Sequence, residues 1–328
     1  MESRRLGSTD ICVTVLGFGS APIGNLFHAV DDDSADAALY AAWDGGVRYF
    51  DTAPHYGLGL SERRLGRSLA DRPREDFVVS TKVGRLLVPN PTPVGSDLAS
   101  GGFDVSDELI RVRDYSRDGV LRSLDASLDR LGLDQVDIVY VHDPEDHMDV
   151  ALADAFPTLV EMREQGVIRA VGAGMNLVPP LRRIVQETDV DAVMVAGRYT
   201  LVDRSAEDLL DECHARGVSV VAAAPFNSGL LARDRPEPGA HFDYAEAAPE
   251  LVELASALAR VCHAHEVALP QAALTFPMRH PAVASVVAGF GTAAHLLAAL
   301  DWASRELPPN VWDALELVRG ERPATTSQ

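Results

Sequence analysis

A chain of 328 residues, 47% of them hydrophobic, is long enough to bury one large core or two smaller ones. Its formal net charge of -20 argues against nucleic acid or an anionic membrane surface as partner, because both would repel it. Three scattered cysteines (Cys12, Cys213, Cys262), with no charged-then-apolar leader and no Cys/His cluster, predict a reducing cytoplasm and no metal site.

Residues 3 to 15 alternate polar and apolar pieces around Gly7-Ser8-Thr9-Asp10, the pattern of a β-hairpin ahead of the main fold. Val15-Leu16-Gly17-Phe18-Gly19 follows as a short apolar strand. A helix is predicted from Ser34, with Ala35, Ala38, Leu39, Ala42 and Trp43 on one face, and Gly45-Gly46 ends it. This strand-then-helix unit recurs. Further strands are expected at residues 47–50, 77–82, 137–142, 168–173, 192–195, 218–224 and 285–288. Helices are expected at 61–69, 117–131, 152–164, 179–187 and 205–216, with a two-helix stretch from 249 to 278.

Eight such units without a linker predict one α/β domain over residues 1–328, a (β/α)8 TIM barrel whose chemistry lies at the carboxyl ends of its strands. Residues 281 to 300 carry no formal charge and nominally reach across a bilayer, but Gly289, Gly291 and His295 favour a buried strand, a turn and a helix. Between the third strand and Arg117 lie roughly thirty residues, too many for an ordinary βα loop, which predicts a substrate-covering loop at residues 86–116. No heptad or exposed apolar stripe indicates an oligomeric state.

The strand ends carry the chemistry. Asp51 closes the second strand, with Tyr56 just beyond it; Lys82 closes the third and His142 the fourth. Singly, each has an ordinary reading: a turn cap, a rim residue, a snorkelling lysine, a core histidine. Together, on adjacent strands of a barrel, they would meet over one mouth. A free tyrosine is a poor proton carrier at neutrality; a lysine ammonium beside it favours the phenolate, and a buried aspartate keeps that lysine charged. A histidine alongside can align a carbonyl or alcohol oxygen.

Asp51-Thr52-Ala53-Pro54-His55-Tyr56-Gly57, Thr81-Lys82 and Val141-His142 resemble the catalytic tetrad motifs of the aldo-keto reductases. Leu16-Gly17-Phe18-Gly19, the run from Gly166 to Gly172 and the run from Ala224 to Leu231 extend the likeness over essentially the whole chain. The resemblance implies a barrel that binds a nicotinamide cofactor across its mouth and moves a hydride to or from a carbonyl carbon. It makes Tyr56 the general acid/base, Lys82 and Asp51 its tuning pair, and His142 the group that orients substrate oxygen. Gly197-Arg198-Tyr199-Thr200-Leu201 and Asp114-Tyr115-Ser116-Arg117-Asp118-Gly119 are most similar to the NAD-dependent aldose (L-fucose or D-threo-aldose) 1-dehydrogenases and pyridoxal 4-dehydrogenases of that family.

On the cofactor side the resemblance points to Gly19, to Pro225, Phe226, Asn227, Ser228, Gly229 and Leu231, and to Gly289-Phe290-Gly291-Thr292 with His295. There, backbone amides at a helix amino end suit a pyrophosphate. The family's Ser-Asn after strand five reads here as Gly174-Met175-Asn176, so Asn176 stands in for it. The Gln after strand six becomes Ala196 and the stacking aromatic after strand seven Ala223. NADP-using relatives place Lys or Arg in the last loop to pair with the 2′-phosphate. Here Gly289, Gly291 and His295 stand there, which favours NAD, with NADP as the other possibility.

His55 and Arg198 are the candidate substrate contacts. The reaction so implied is NAD-dependent oxidation of a small-molecule aldose at C1 to the lactone. The alternatives are pyridoxal or a general aldehyde in the same chemistry, and a cofactor-holding redox-sensing module with little turnover.

Overall fold

The computed structural model describes residues 1–237, 239–243 and 245–320. Eight parallel strands close into a barrel: β1 (Leu16–Gly19), β2 (Tyr49–Asp51), β3 (Val78–Val83), β4 (Ile138–His142), β5 (Ala170–Met175), β6 (Ala192–Ala196), β7 (Ser219–Ala223) and β8 (Val283–Gly289), each hydrogen-bonded to the next and β8 back to β1. All eight lie within about two residues of their expected positions, as closely as strand ends can be read from a sequence.

Side chains alternate across a strand, and the alternation sorts this barrel into two apolar layers. Phe50, Val79, Val83, Val139 and Val141 face outward into the core shared with the helices. Tyr49, Val78, Ile138, Tyr140, Ala170, Met194 and Val221 face inward. Counting by twos from the inward set, Tyr49 leads to Asp51, Val78 to Ser80 and Lys82, and Ile138 to Tyr140 and His142. The polar residues of the mouth are therefore the top layer of the interior. Below them the barrel is filled: Gly172 lies where a Cβ would fall 2.5 Å from the Tyr140 ring, so its missing side chain gives that tyrosine its space. The expected hairpin, Ser3–Arg5 with Cys12–Thr14, plugs the amino end, and Leu6, Ile11 and Val13 pack under the interior layer.

The helices follow from local signals. Arg117–Leu131 starts on Ser116, whose side chain accepts from the Gly119 amide, and stops at Gly132 with φ +63°. The first helix begins before Ser34, at Asp32, because the Asp31 carboxylate caps it through the Ser34 amide. The helix expected from Leu152 begins at Met148 and passes through a π turn at Ala151–Ala155. The helix Pro309–Gly320 was not foreseen. The uncharged stretch from 281 to 300 resolves into β8, a turn and the helix Ala293–Ala303; among the described residues no helix is long and apolar enough to cross a membrane.

The long connection after β3 differs from an irregular loop. Arg85–Pro89 and Leu109–Arg113 pair as an antiparallel hairpin, in register from Arg85 opposite Arg113 to Pro89 opposite Leu109. Its tip turns back over the mouth, where Phe103 is buried and bridged to Leu26.

Candidate active site

Lys82 is 2% exposed and its ammonium donates to both oxygens of Asp51, at 2.9 and 2.7 Å, and to the Thr52 carbonyl at 3.0 Å. Ser80, two residues before Lys82 on the same inward face, donates to Asp51 Oδ1 at 2.7 Å. Its hydroxyl continues to Tyr49 at 3.1 Å, and Tyr49 to Tyr140 at 3.2 Å, so a polar chain descends from the ion pair into the barrel. A buried pair is tolerable when its spare lone pairs and protons are met in this way. Burial works against the Lys82 charge, but Asp51 and then Tyr56 outweigh it and lift the ammonium above the ordinary lysine value. Lys82 Nζ lies 4.7 Å from the Tyr56 ring centre.

The Tyr56 ring stands 6.1 Å from those of His142 and Phe103 and 6.0 Å from that of His55. The structure thus brings Asp51, Tyr56, Lys82, His142 and His55 together. Both imidazoles are held well below the usual histidine value, by burial first and then by the cations around them: Arg85 and Arg111 for His55, Arg85 and Lys82 for His142. Both are neutral at pH 7.

This has a measurable consequence. Unfolded, each histidine takes a proton near pH ~6.5, where the folded protein takes none. Below that pH the unfolded chain binds more protons, so the contribution of these two groups falls on acidification and is complete above about 6.5. Thermal melting between about pH 5 and about pH 8 should show a shallower acid loss in His55→Gln than in the parent. Equal slopes would rule out a buried neutral His55.

On the cofactor side, the turn after β7 holds Ala224, Asn227 and Ser228 at φ between +45° and +53°, conformations uncommon for residues with a side chain. Asn227 donates to the Gly197 carbonyl at 3.0 Å, and its Oδ1 is buried without a partner among the described residues. A cleft of about 510 Å3 lies between this turn and the one after β8, lined by Phe226, Ser228, Gly229, Gly289, Phe290 and His295 among others. Thr292 caps the eleven-residue helix Ala293–Ala303 beside it. The open cleft and the helix amino end beside it suit the phosphates of an extended dinucleotide, while the buried Asn227 is not among the residues that line the cleft. Within this set, Leu231 and Pro225 are buried, and the Phe290 ring packs on Phe18 at 5.8 Å. A Cβ on Gly19 would meet the Ala288 backbone at 3.1 Å, so strand packing already explains that glycine.

Arg198 is not brought to Tyr56: its Nε donates to the Asn176 carbonyl at 2.9 Å and its Nη2 to Asp243 at 2.7 Å, with Asp203 at 3.6 Å. Asn176 and Arg198 together strap the end of β5 to the small hairpin of His241–Phe242 and Ala245–Glu246. The basic groups at the mouth are instead Arg85 and Arg111, which contact His55 through its Nδ1 and its carbonyl. The turn after β8 and the helix it opens hold Gly289, Gly291 and His295, and Arg233, Arg235 and Glu237 line the cleft from another segment. These come from a segment whose sequence gives no periodicity to place it.

The sequence model of the Aldo/keto reductase family matches residues 15–319. The chain belongs to the aldo/keto reductase family. It is accordingly an oxidoreductase, of a family that uses nicotinamide cofactors. The chain is 46% identical to a D-threo-aldose 1-dehydrogenase of Pseudomonas over 95% of its own length and 96% of that protein. It is 39% identical to a pyridoxal 4-dehydrogenase of Microbacterium luteolum, with 96% of each chain covered. Among solved structures, an aldo-keto reductase from Bacillus halodurans in its holo form superposes with a TM-score of 0.78 at 25% identity, covering 97% of this chain and 96% of that one. Among the described residues no group of three or more His, Cys, Asp or Glu is placed to hold an ion.

Proposed function

We propose that this aldo-keto reductase oxidises an aldose, as its cyclic hemiacetal, at the anomeric carbon to the lactone, with NAD as partner. The observation that carries the reading is the Lys82 ammonium clamped between Asp51 and the Tyr56 ring, with a neutral imidazole opposite. The likeness to a D-threo-aldose 1-dehydrogenase supplies the substrate class.

When bound, the nicotinamide supplies the acceptor for the hydride that leaves C1. Tyr56 takes the proton of the C1 hydroxyl as that carbon–oxygen bond becomes a carbonyl, and runs the step in reverse as an acid. Lys82 favours the phenolate that must receive the proton, and Asp51 fixes the lysine. His142, neutral, donates to the substrate oxygen without competing for its proton. Phe103 and the hairpin beneath it shield the mouth from water.

NAD over NADP is part of the proposal. The turn after β8 carries no Lys or Arg to pair with a 2′-phosphate, and the Glu237 carboxylate in the cleft, 3.1 Å from Arg233, can accept from a ribose hydroxyl. Arg233 and Arg235 line the same cleft and work the other way. A second reading has its own support: His55, Phe103 and Tyr56 form an aromatic wall that a pyridine ring could stack on, and one relative is named a pyridoxal 4-dehydrogenase.

One assay separates these. NADH absorbance is followed with a panel of aldoses and with pyridoxal, using NAD and then NADP. The proposal expects aldoses to be oxidised with the higher kcat/KM for NAD. Pyridoxal alone as substrate, a higher kcat/KM for NADP, or cofactor binding without turnover each overturns the corresponding part.

A further inference from the structure

Opposite the Lys82–Asp51 pair stands a second charged pair to which the mechanism assigns no role. Asp143 follows His142 directly and is held at φ +44°, a left-handed conformation uncommon outside glycine, which aspartate tolerates better than most residues. The constraint is visible. The Asp143 amide donates to the Gly174 carbonyl at 3.1 Å, and the buried Tyr115 hydroxyl lies 2.6 Å from the His142 carbonyl and 2.7 Å from that of Asp143. Gly84, at φ +100°, makes room for that tyrosine, since a Cβ there would fall 2.2 Å from its ring, and turns the chain out of β3 so that Arg85 comes back over the mouth.

The result is a carboxylate aimed at the site. Asp143 Oδ2 pairs with Arg85 Nη2 and lies 3.5 Å from His142 Nε2. Its Oδ1 has no partner among the described residues, although the side chain is only 25% exposed. Arg85 Nη1 reaches to 3.4 Å from His55 Nδ1, and Arg85 Nε is buried with no partner among the described residues. A latch joining hairpin to barrel would require the ion pair. It would not require the carboxylate to lie beside the imidazole with one oxygen left over.

We propose that Asp143, set by Arg85, accepts a hydrogen bond from the substrate hydroxyl on the carbon next to the reacting one, and so selects polyhydroxylated substrates. His142 Nε2 and the Asp143 carboxylate then present a donor and an acceptor side by side, at a spacing that two oxygens on neighbouring carbons can bridge. A carboxylate drawn out of water is a demanding partner: a substrate that lacks the hydroxyl leaves it unmet. The carboxylate also keeps the imidazole proton on Nε2, the nitrogen that faces it. The inference rests on the reading of the chain as an aldose dehydrogenase.

The test compares L-fucose with 2-deoxy-L-fucose in the parent enzyme, in Asp143→Asn and in Arg85→Gln, with a thermal melt of each. Intrinsic reactivity differs between the two sugars but is common to all three proteins, so the change in preference reports the contact alone. In the parent, kcat/KM should favour the 2-hydroxy sugar by roughly 10- to 100-fold. In Asp143→Asn the preference should fall to within about threefold of unity, and in Arg85→Gln, where the carboxylate remains but is no longer set, it should fall part of the way. If Asp143→Asn does not fold, Arg85→Gln carries the comparison. Aldose oxidation with no preference in the parent, or a preference that survives the substitutions, overturns the role of Asp143 and leaves the proposed reaction standing. No oxidation of any aldose overturns the reaction itself.

Discussion

Replacing Tyr56 by Phe lowers kcat by roughly 10²- to 10⁴-fold, the usual contribution of a positioned proton carrier. It leaves the affinity for the cofactor unchanged. The substitution removes one oxygen and keeps the ring, whose contacts with Phe103, His55 and His142 are made by its carbons. Packing and the cleft at the far end of the mouth are untouched, and Lys82 loses the Tyr56 hydroxyl but keeps Asp51 and the Thr52 carbonyl, so the loss falls on chemistry. Steady-state oxidation gives kcat, and NADH fluorescence gives the dissociation constant. A variant that retains turnover within a few-fold of the parent, or that loses cofactor binding in step with activity, would show that Tyr56 is not the proton carrier.

The legibility of this site has a physical reason. Asp51, Lys82 and His142 close adjacent strands, so placing the strand ends was enough to bring all three to one mouth, and the two-residue repeat puts them on the inward face with Tyr49, Val78 and Ile138. The same rule would have found Ser80, which sits at the position before Lys82 on that face and completes the coordination of Asp51. Arg117–Leu131 could be read to the residue because both ends carry a local signal in Ser116 and Gly132. Arg85, Phe103 and Asp143 could not be read for function. Their positions depend on how a hairpin pairs and on a left-handed turn, and neither leaves a period in the sequence. Pro89-Asn90-Pro91-Thr92-Pro93 even argues against a strand, yet Pro89 sits at the hairpin's end, paired with Leu109, where an edge tolerates it. Arg233 and Arg235 escaped for the same reason, and with them the charge of the cofactor cleft.

The second large effect concerns Lys82 and Asp51, and it separates stability from activity. Asp51→Asn strands a buried ammonium and should destabilise the protein by about 3–5 kcal/mol, the range for removing one member of a buried pair. Lys82→Met strands the carboxylate instead. Burial already pushes the Asp51 carboxyl up, with Lys82 opposing, so without the lysine it holds a proton in the folded state well above its unfolded value of ~3.9. A raised carboxyl stabilises below the unfolded value and loses that stability as pH rises through the folded one; Lys82→Met is therefore weakest at alkaline pH. In Asp51→Asn the lone ammonium is depressed, so the folded state binds fewer protons than the unfolded one and stability falls on acidification. The two single variants should thus show opposite slopes of melting temperature between about pH 5 and about pH 8. Combined in one protein, the substitutions leave no buried charge, and the double variant should regain most of the stability that Asp51→Asn lost. Its kcat should stay as low as that of Lys82→Met, because no ammonium remains to favour the Tyr56 phenolate. If activity returned with stability, the pair would be a structural feature of the barrel rather than the source of the tyrosine's reactivity.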